Sequence, residues 1–174
     1  MLRGTLIALR PVQVSDLPVL ETWLNDEDPD GNFNQFGLSP SHALERSFNE
    51  TGLLTDQQGR LLIVTPDNTV VGFVSYHQVV YGPNSGSRVY NIGIHLAPAY
   101  RKKGYGTDAQ RLLAGYLFAT YPIRRIEAGT DIANSAEQRA LEKAGFTREG
   151  VLRQAQWRVG EWHDMVVYSK LRGE

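Results

Sequence analysis

The sequence contains no cysteine, and this absence excludes disulfide scaffolds, thiolate zinc sites and cysteine nucleophiles. Its four histidines show none of the spacings that metal sites use, so we predict that no metal is bound. No stretch approaches the ~18 consecutive apolar residues of a membrane span. The apolar run near the first methionine, about six residues long, is shorter than the roughly 7–15 of a secretory signal. We therefore expect a cytoplasmic protein without membrane contact.

An excess of charge of either sign is also missing, because 18 Lys and Arg stand against 19 Asp and Glu, for a net charge of −1. A chain so close to neutral is a poor coat for nucleic acid or for a membrane surface, so we expect neither as a partner. Any site for an anion must instead be local. With 174 residues, 41% of them hydrophobic, the chain suits one core better than two. We predict one domain over residues 1–174.

A local site of this kind is visible in "APAYRKKGYGTDAQRLL", residues 97–113. Three cations at 101–103 stand directly before Gly104 and Gly106, and the glycines precede a run with helical spacing. Positive charge, exposed backbone amides and a helix N-terminus together describe a receptor for phosphate groups. The alternative is a solvated basic turn before a capped helix. The two glycines and the preceding strand favour phosphate binding.

Hydrophobic periodicity and turn residues divide the chain into elements in the order βααβββαβαββ. Asp16 and Pro18 are placed to start the first helix, and Asn134 is placed to cap the last one. The predicted strands cover residues 5–9, 61–65, 70–81, 89–96, 124–130, 147–157 and 162–170, and the predicted helices cover 16–24, 39–52, 106–120 and 134–145. Antiparallel hairpins precede one strand–helix–strand unit, which requires a parallel pair of strands. We predict a single α/β domain with a mixed sheet.

Two nucleotide-binding alternatives fit the glycine turn less well. The triphosphate loop G-x-x-x-x-G-K-[ST] does not occur in the sequence. The dinucleotide pattern G-x-G-x-x-G/A is met by Gly104, Gly106 and Ala109, and Glu127 follows on the next strand. That fold needs its first glycine directly after a buried strand, but here residues 97–103 intervene and include a proline. It also needs further βαβ units, whereas this chain continues into an antiparallel hairpin.

The segment "IGIHLAPAYRKKGYG" resembles the acetyl-coenzyme-A loop of the Gcn5-related N-acetyltransferases, in which a strand and a proline precede R/Q-x-x-G-x-G/A at a helix start. Arg101, Gly104 and Gly106 fill that motif. The segment "NSAEQRALEKAGF", which begins at Asn134, resembles the second cofactor helix of the family. The predicted element order also matches the family fold. The final "WRVGEWHDMVVYSKLR" is similar to the branch that acetylates ribosomal-protein N-termini and small amines.

The resemblance implies that acetyl-coenzyme A is the cofactor and that the sheet is splayed between its two central strands. The pantetheine arm is then expected to pair, like an extra strand, with the backbone at Ile94 and Leu96. Gly93 and Pro98 are consistent with a bulge and an early end of that strand. The helix dipole would stabilise the phosphates by about 0.3–1 kcal/mol per favourable charge. The predicted cofactor-binding residues are Ile94, His95, Leu96, Arg101, Lys102, Lys103, Gly104, Tyr105, Gly106, Thr107 and Asn134.

The resemblance also implies that an amine attacks the thioester directly. Relatives use three groups for proton transfer that are replaced in this chain, by Leu141, Glu137 and Asn91. The best remaining candidate for a catalytic base is Glu127, because a charged residue within "RIEAG" is not expected to be buried without a partner. Its structural alternative is a salt bridge to a nearby arginine, for which the candidates are Arg124, Arg125 and Arg139.

We predict that the acceptor is a primary amine: a protein N-terminus, a polyamine or an aminated small molecule. Its pocket is expected to form from the 25–40 loop, the second helix and the 150–165 hairpin. An acidic lining that would favour cationic acceptors is predicted from Asp26, Glu27, Asp28 and Asp30. Further candidates for the acceptor side are Tyr90, His77, His163 and Asp164. The alternative function is a module that senses acetyl-coenzyme A without turnover, and the chain is expected to be a monomer or a homodimer.

Overall fold

The computed structural model describes residues 1–25, 32–34 and 36–174. The helices are α1 (Leu17–Asn25), α2 (Ala43–Thr51), α3 (Tyr105–Thr120) and α4 (Ser135–Lys143). The strands are β1 (Leu2–Arg3), β2 (Ala8–Pro11), β3 (Gln58–Val64), β4 (Val70–Val80), β5 (Arg88–Leu96), β6 (Arg125–Asp131), β7 (Thr147–Arg158) and β8 (Glu161–Leu171). The predicted α/β class is confirmed, and so is the mixed sheet with one parallel pair, β5–β6.

The first predicted strand, over residues 5–9, is replaced by two short strands with a turn between them. Within the turn, the amide of Gly4 donates to the carbonyl of Ile7 at 2.8 Å. Oδ2 of Asp108, on α3, accepts hydrogen bonds from the amides of Leu6 at 2.7 Å and Ile7 at 3.3 Å. Because these amides bind a buried carboxylate, they are not available to a neighbouring strand. The local pattern indicated an apolar segment but not this partner, which is distant in sequence.

The sheet contains eight strands in the order β1-β2-β3-β4-β5-β6-β8-β7. The parallel pairing at its centre is short, because it comprises three residues on each strand, 90–92 of β5 and 126–128 of β6. Beyond that point, residues 93–96 pair with β4 on one side, and residues 129–131 pair with β8 on the other. The sheet is therefore open between its two central strands, as the resemblance implied.

Helices cover both faces of the sheet. On one face α3 and α4 pack over the main core, where Leu113, Leu117 and Leu141 are fully buried. On the other face α1 and α2 pack over a second cluster that includes Leu20 and Leu62. Removing a buried leucine of this kind costs about 2–5 kcal/mol, so both helix layers are firmly attached to the sheet. None of the described helices is both long and apolar enough to cross a bilayer.

The boundaries of α3 and α4 follow from residues that the sequence already singled out. Gly104 precedes α3 in the left-handed region, with φ +84°, where a side chain would be strained. The helix ends at Thr120 as predicted, since Pro122 disfavours a helical Tyr121. The side chain of Asn134 accepts a hydrogen bond from the amide of Glu137 at 3.2 Å, which confirms Asn134 as the cap of α4.

Candidate functional site

The loop that joins β5 to α3 presents backbone amides at a helix start. The first hydrogen bond of α3 runs from the amide of Asp108 to the carbonyl of Gly104, at 3.2 Å. The amides of Tyr105, Gly106 and Thr107 precede that bond, and amides of a first helical turn have no partner within their own helix. A Cβ on Gly106 would lie 3.5 Å from Leu96 Cδ1, an ordinary contact. The packing of the protein itself therefore does not require glycine at this position.

The three cations of this loop have different environments. Nε of Arg101 donates to the carbonyl of Leu96 at 3.0 Å, so this side chain braces the loop against the end of β5. Lys102 and Lys103 are exposed, and Lys102 adopts a left-handed φ of +61°. Nζ of Lys103 lies 5.2 Å from the ring centre of Tyr100. The loop thus combines one anchored guanidinium with two exposed ammonium groups beside the start of α3.

The open edge of β5 leads directly into this loop. Ile94 and Leu96 are partly buried and pack against the main core on the α3 face. His95 points to the opposite face, where its ring stacks on Phe73 at 5.3 Å and lies 5.4 Å from the ring of Trp23. The side chain of His95 therefore belongs to the α1 face, and only its backbone lies along the open edge.

Glu127 is buried in a polar network just before the sheet opens. It pairs in register with Asn91, the middle residue of the short parallel segment. Its Oε2 accepts a hydrogen bond from the hydroxyl of Tyr81 at 2.9 Å and a longer one from Nε of Arg125 at 3.4 Å. Arg125 in turn donates two bonds to Glu149, at 2.7 and 2.5 Å. The structural alternative for Glu127, an ion pair with Arg125, is present, while its catalytic role stays a prediction.

A second carboxyl, which is partly buried and which the sequence indicated only as a departure from the family pattern, lies between α3 and α4. Oε1 of Glu137 accepts a hydrogen bond from Nε2 of Gln110 at 2.7 Å. Burial raises the pKa of Glu137 to about 7, against the opposing effect of the Gln110 bond. Gln110 is 1% exposed, and its Oε1 has no hydrogen-bond partner among the described residues. One helical turn separates Gln110 from Gly106, a spacing that places both on the same face of α3.

A cleft of about 690 Å³ opens on the α1 and α2 side of the sheet. β3 and β4 form its base, with Arg60, Ser75 and His77 among the lining residues. Residues 39–42 and the helices α1 and α2 supply the rest of the lining. The cleft therefore uses two of the three segments predicted for the acceptor pocket, the second helix and part of the 25–40 loop.

The remaining acceptor-side predictions have mixed outcomes. The 150–165 hairpin supplies none of the described residues that line this cleft, so its contribution to an acceptor pocket stays a prediction. Tyr90 is buried in the core on the α3 face and its hydroxyl donates to the carbonyl of Asp56. Because Tyr90 is 0% exposed, its assignment to the acceptor side was wrong, whereas His77 does line the cleft. The four predicted acidic residues, Asp26, Glu27, Asp28 and Asp30, lie outside the described residues.

The 150–165 hairpin is instead held to the end of β6 by a buried ion pair. Nη2 of Arg158 lies 2.5 Å from Oδ2 of Asp131, and Nδ1 of His163 lies 3.0 Å from the same oxygen. Burial raises the pKa of Asp131, but the hydrogen bonds from Arg158 and from a backbone amide together have the larger, opposite effect. The net result is a pKa below the ordinary value for aspartate. Asp164 accepts a hydrogen bond from the amide of Gln154 at 2.8 Å. Among the described residues, no group of three or more His, Cys, Asp or Glu is placed to hold a metal ion.

Residues 7–147 match the family described as "Acetyltransferase (GNAT) domain". The chain belongs to this GNAT family. This conclusion confirms the resemblance carried by the loop at 101–106 and by the helix after Asn134. The protein is accordingly an N-acetyltransferase, and acetyl-coenzyme A is its co-substrate.

Individual relatives agree with the family assignment. Probable N-acetyltransferase YjcK of Bacillus subtilis (strain 168) is 32% identical over 180 residues, which cover 98% of this chain and 97% of YjcK. The spermidine N-acetyltransferase from Vibrio cholerae, solved with CoA and spermine, has a TM-score of 0.80 at 19% identity and covers 95% of both chains. RimL, a ribosomal L7/L12 alpha-N-protein acetyltransferase solved with coenzyme A, has a TM-score of 0.73 at 20% identity, over 96% of this chain and 94% of RimL. These two solved structures share the GNAT fold.

Proposed function

We propose that this GNAT enzyme acetylates a primary amine by direct attack within a ternary complex. The amine is a protein N-terminus, a polyamine or an aminated small molecule. The observation that carries the proposal is the open edge of β5 at residues 93–96, which ends at the amide-rich loop 101–106. A ligand lying along this edge would have phosphates at one end and a reactive group within the sheet at the other. Acetyl-coenzyme A has this layout, and it supplies the acetyl group as a thioester.

The residues around the loop fit the phosphates of coenzyme A. Amides at Tyr105, Gly106 and Thr107 point out of the first turn of α3, where the helix dipole favours negative charge. Lys102 and Lys103 add two positive charges that face solvent. Arg101 keeps the loop against β5 through its bond to Leu96. Backbone groups at Ile94 and Leu96, with Asn134 on α4, would bind the pantetheine arm.

The amine would enter from the α1 and α2 side of the sheet. Ser75 lines the cleft there and pairs in register with Gly93, at the start of the open edge. A Cβ on Gly93 would lie only 3.1 Å from Ser75 Oγ, so glycine keeps the passage between cleft and edge clear of a side chain. Because the chain has no cysteine that could form an acyl-enzyme, direct attack of the amine on the thioester requires the fewest catalytic groups. We propose that Glu127 acts as the base.

Release of free thiol from acetyl-coenzyme A, measured with a panel of amines, tests the proposed function. The panel should contain N-terminal peptides, polyamines and aminated small molecules, with enzyme-free reactions for comparison. Turnover of at least one class above the enzyme-free rate is expected. Tight binding of coenzyme A by calorimetry, together with no turnover of any amine, would indicate a sensor of acetyl-coenzyme A instead. Binding that is absent altogether would contradict both functions.

We also infer that the protein works in the cytoplasm as one domain, as a monomer or a homodimer. A cysteine-free chain is compatible with a reducing compartment, where disulfides are not used. Cell fractionation and light scattering on the purified protein test the two inferences separately. A membrane-bound or secreted pool, or a larger assembly, would contradict them.

A further inference from the structure

Arg60, on β3, is a partly buried cation inside the cleft. Its guanidinium carbon lies 4.5 Å from the ring centre of Phe73, so the positive group rests on an aromatic face. Its Nη1 is buried and has no hydrogen-bond partner among the described residues. None of the carboxylates in the described parts of the chain forms an ion pair with Arg60, although Glu21 also lines the cleft. Among the described residues, the charge of Arg60 is thus compensated only by the ring of Phe73.

Two arginines that are more fully buried than Arg60 each have a carboxylate partner. Arg10 donates to both oxygens of Asp16, at 2.7 and 2.9 Å. Arg158 pairs with Asp131 at 2.5 Å. A buried cation without an anion is unfavourable because it loses its hydration without compensation, and burial accordingly lowers the pKa of Arg60. A bound anion would supply to Arg60 the negative charge that Asp16 supplies to Arg10 and that Asp131 supplies to Arg158.

The position of Arg60 relates it to the open edge of β5. Arg60 pairs in register with Ser75 of β4, and Ser75 pairs in register with Gly93 of β5. Neighbouring strands lie roughly 4.8 Å apart, so the row from Arg60 to Gly93 spans about 10 Å across the sheet. The Arg60 end of the row lies in the cleft, and the Gly93 end lies where the sheet opens. A molecule in the cleft can therefore contact Arg60 with one end and reach the open edge with the other.

We propose that Arg60 binds the carboxylate, or an equivalent anionic group, of the amine acceptor. This inference rests on the proposed function and narrows its substrate class to amines that carry an anionic group within about 10 Å of the reacting nitrogen. The planar guanidinium suits such a group because it offers parallel N–H donors that match the two oxygens of a carboxylate. The proposal runs opposite to the preference for cationic acceptors that the acidic segment 26–30 suggests from sequence.

Three amines with the same four-methylene chain test the proposal on the unmodified enzyme: 5-aminopentanoate, pentylamine and 1,4-diaminobutane. They differ only in a carboxylate, a methyl or an ammonium group at the far end. A charge-assisted hydrogen bond is worth enough to change affinity at least about tenfold. We therefore expect kcat/KM, followed by thiol release, to be at least about tenfold higher for 5-aminopentanoate than for pentylamine. Equal values, or a preference for the diamine, would overturn the proposal.

A peptide pair distinguishes the two sources of such a carboxylate. Ala-Glu and Ala-Gln, both amidated at the C-terminus so that no second carboxylate is present, differ by one charge and present a free N-terminus. A preference for Ala-Glu over Ala-Gln at least as large as that among the small amines would indicate an acidic protein N-terminus. Turnover of 5-aminopentanoate with equal, poor use of both dipeptides would indicate a small amino acid.

Variants of Arg60 connect the preference to this side chain. Arg60→Gln is expected to raise KM for 5-aminopentanoate about tenfold or more, so that the preference for 5-aminopentanoate over pentylamine is lost, while the affinity for coenzyme A is unchanged. Arg46→Gln is the matched control, because Arg46 is exposed on α2 and does not line the cleft. A carboxylate preference that survives Arg60→Gln would contradict the proposal.

A readout without turnover separates this proposal from the proposed function. With coenzyme A present, 5-aminopentanoate should raise the thermal unfolding midpoint of the unmodified protein more than pentylamine does, and Arg60→Gln should remove the difference. If the unfolding midpoint shifts and no thiol is released, the result supports the anion site and contradicts the proposed acetyl transfer. If amines are acetylated with neither a carboxylate preference nor a shift of the unfolding midpoint, the result supports the acetyl transfer and contradicts the anion site.

Discussion

Glu137 and Gln110 join the two helices beside the open sheet, with Oε1 of Glu137 lying 2.7 Å from Nε2 of Gln110. Burial raises the pKa of the Glu137 carboxyl to about 7, compared with 4.5 for an ordinary glutamate. The folded protein therefore holds a proton on Glu137 over a pH range in which the unfolded chain has already released it. We therefore expect the packing of α4 on α3 to be sensitive to pH.

The stability that depends on Glu137 should fall as the pH rises from about 4.5 to about 7. In that range the folded state binds more protons than the unfolded state, so raising the pH favours unfolding. Glu137→Gln keeps the shape without the titration, and it should gain stability relative to the unmodified protein across the range, by about 3 kcal/mol in total. Urea unfolding at several pH values measures this difference.

The control for Glu137→Gln is Glu50→Gln, because Glu50 is exposed on α2. That variant should follow the unmodified protein at every pH. A stability difference for Glu137→Gln that does not change with pH would show that the carboxyl titrates normally.

Gly106 and Gly104 should respond differently to alanine. At Gly106 a Cβ meets only ordinary contacts, at 3.5 and 3.7 Å, so Gly106→Ala should keep stability or raise it by up to about 1 kcal/mol. It should nevertheless weaken coenzyme A binding about tenfold, or about 1.4 kcal/mol, because the methyl occupies the approach to the amides. Thermal unfolding and calorimetry measure the two effects. Gly115→Ala, in open space on the same helix, is the control that should bind normally.

Gly104→Ala should lose stability as well as affinity. Its φ of +84° is strained for any side chain, and the new Cβ would lie 3.1 Å from Leu6 Cδ1. A left-handed alanine costs roughly 1–2 kcal/mol, which thermal unfolding would detect. Unchanged stability for Gly104→Ala would mean that the loop has another conformation.

Salt should separate the roles of Arg101 and the two lysines. Lys102 and Lys103 are exposed, so the loss of coenzyme A affinity in Lys102→Gln or Lys103→Gln should shrink as ionic strength rises well above about 0.15 M. Arg101 also braces the loop through its bond to Leu96, so the loss in Arg101→Gln should persist in salt. Calorimetric titrations with coenzyme A at low and high salt measure the loss of affinity in the lysine variants and in the Arg101 variant. Identical salt dependence for all three variants would contradict the bracing role.

Glu127→Gln tests the proposed base against its structural alternative. Loss of a general base typically lowers kcat by about 10²–10⁴, and we expect a loss in that range together with a changed pH profile. Glu149→Gln is the matched control, since it disturbs the same Arg125 network without removing the Glu127 carboxylate. Equal losses of kcat in the two variants would show that Glu127 acts only as a member of the Arg125 hydrogen-bond network and not as the base.

Much of the fold was predictable because its signals are local. Helical spacing, the cap at Asn134 and the glycines before α3 each depend on neighbouring residues, and the structure places them as expected. The two N-terminal strands were not predictable, because Asp108 binds the amides of Leu6 and Ile7 across more than a hundred residues of chain. The exclusion of Tyr90 from the acceptor side likewise depends on which face of β5 meets α3.

The sequence by itself determined the amide-rich loop, the order of elements from α1 onward and the family, because each is encoded in short runs of adjacent residues. Only the tertiary structure decided which charges are paired. Arg10 and Arg158 have carboxylate partners, while Arg60 has an aromatic ring and a cleft. The physical reason is that burial and ion pairing depend on distances across the sheet and between helices, and spacing along the chain does not contain those distances.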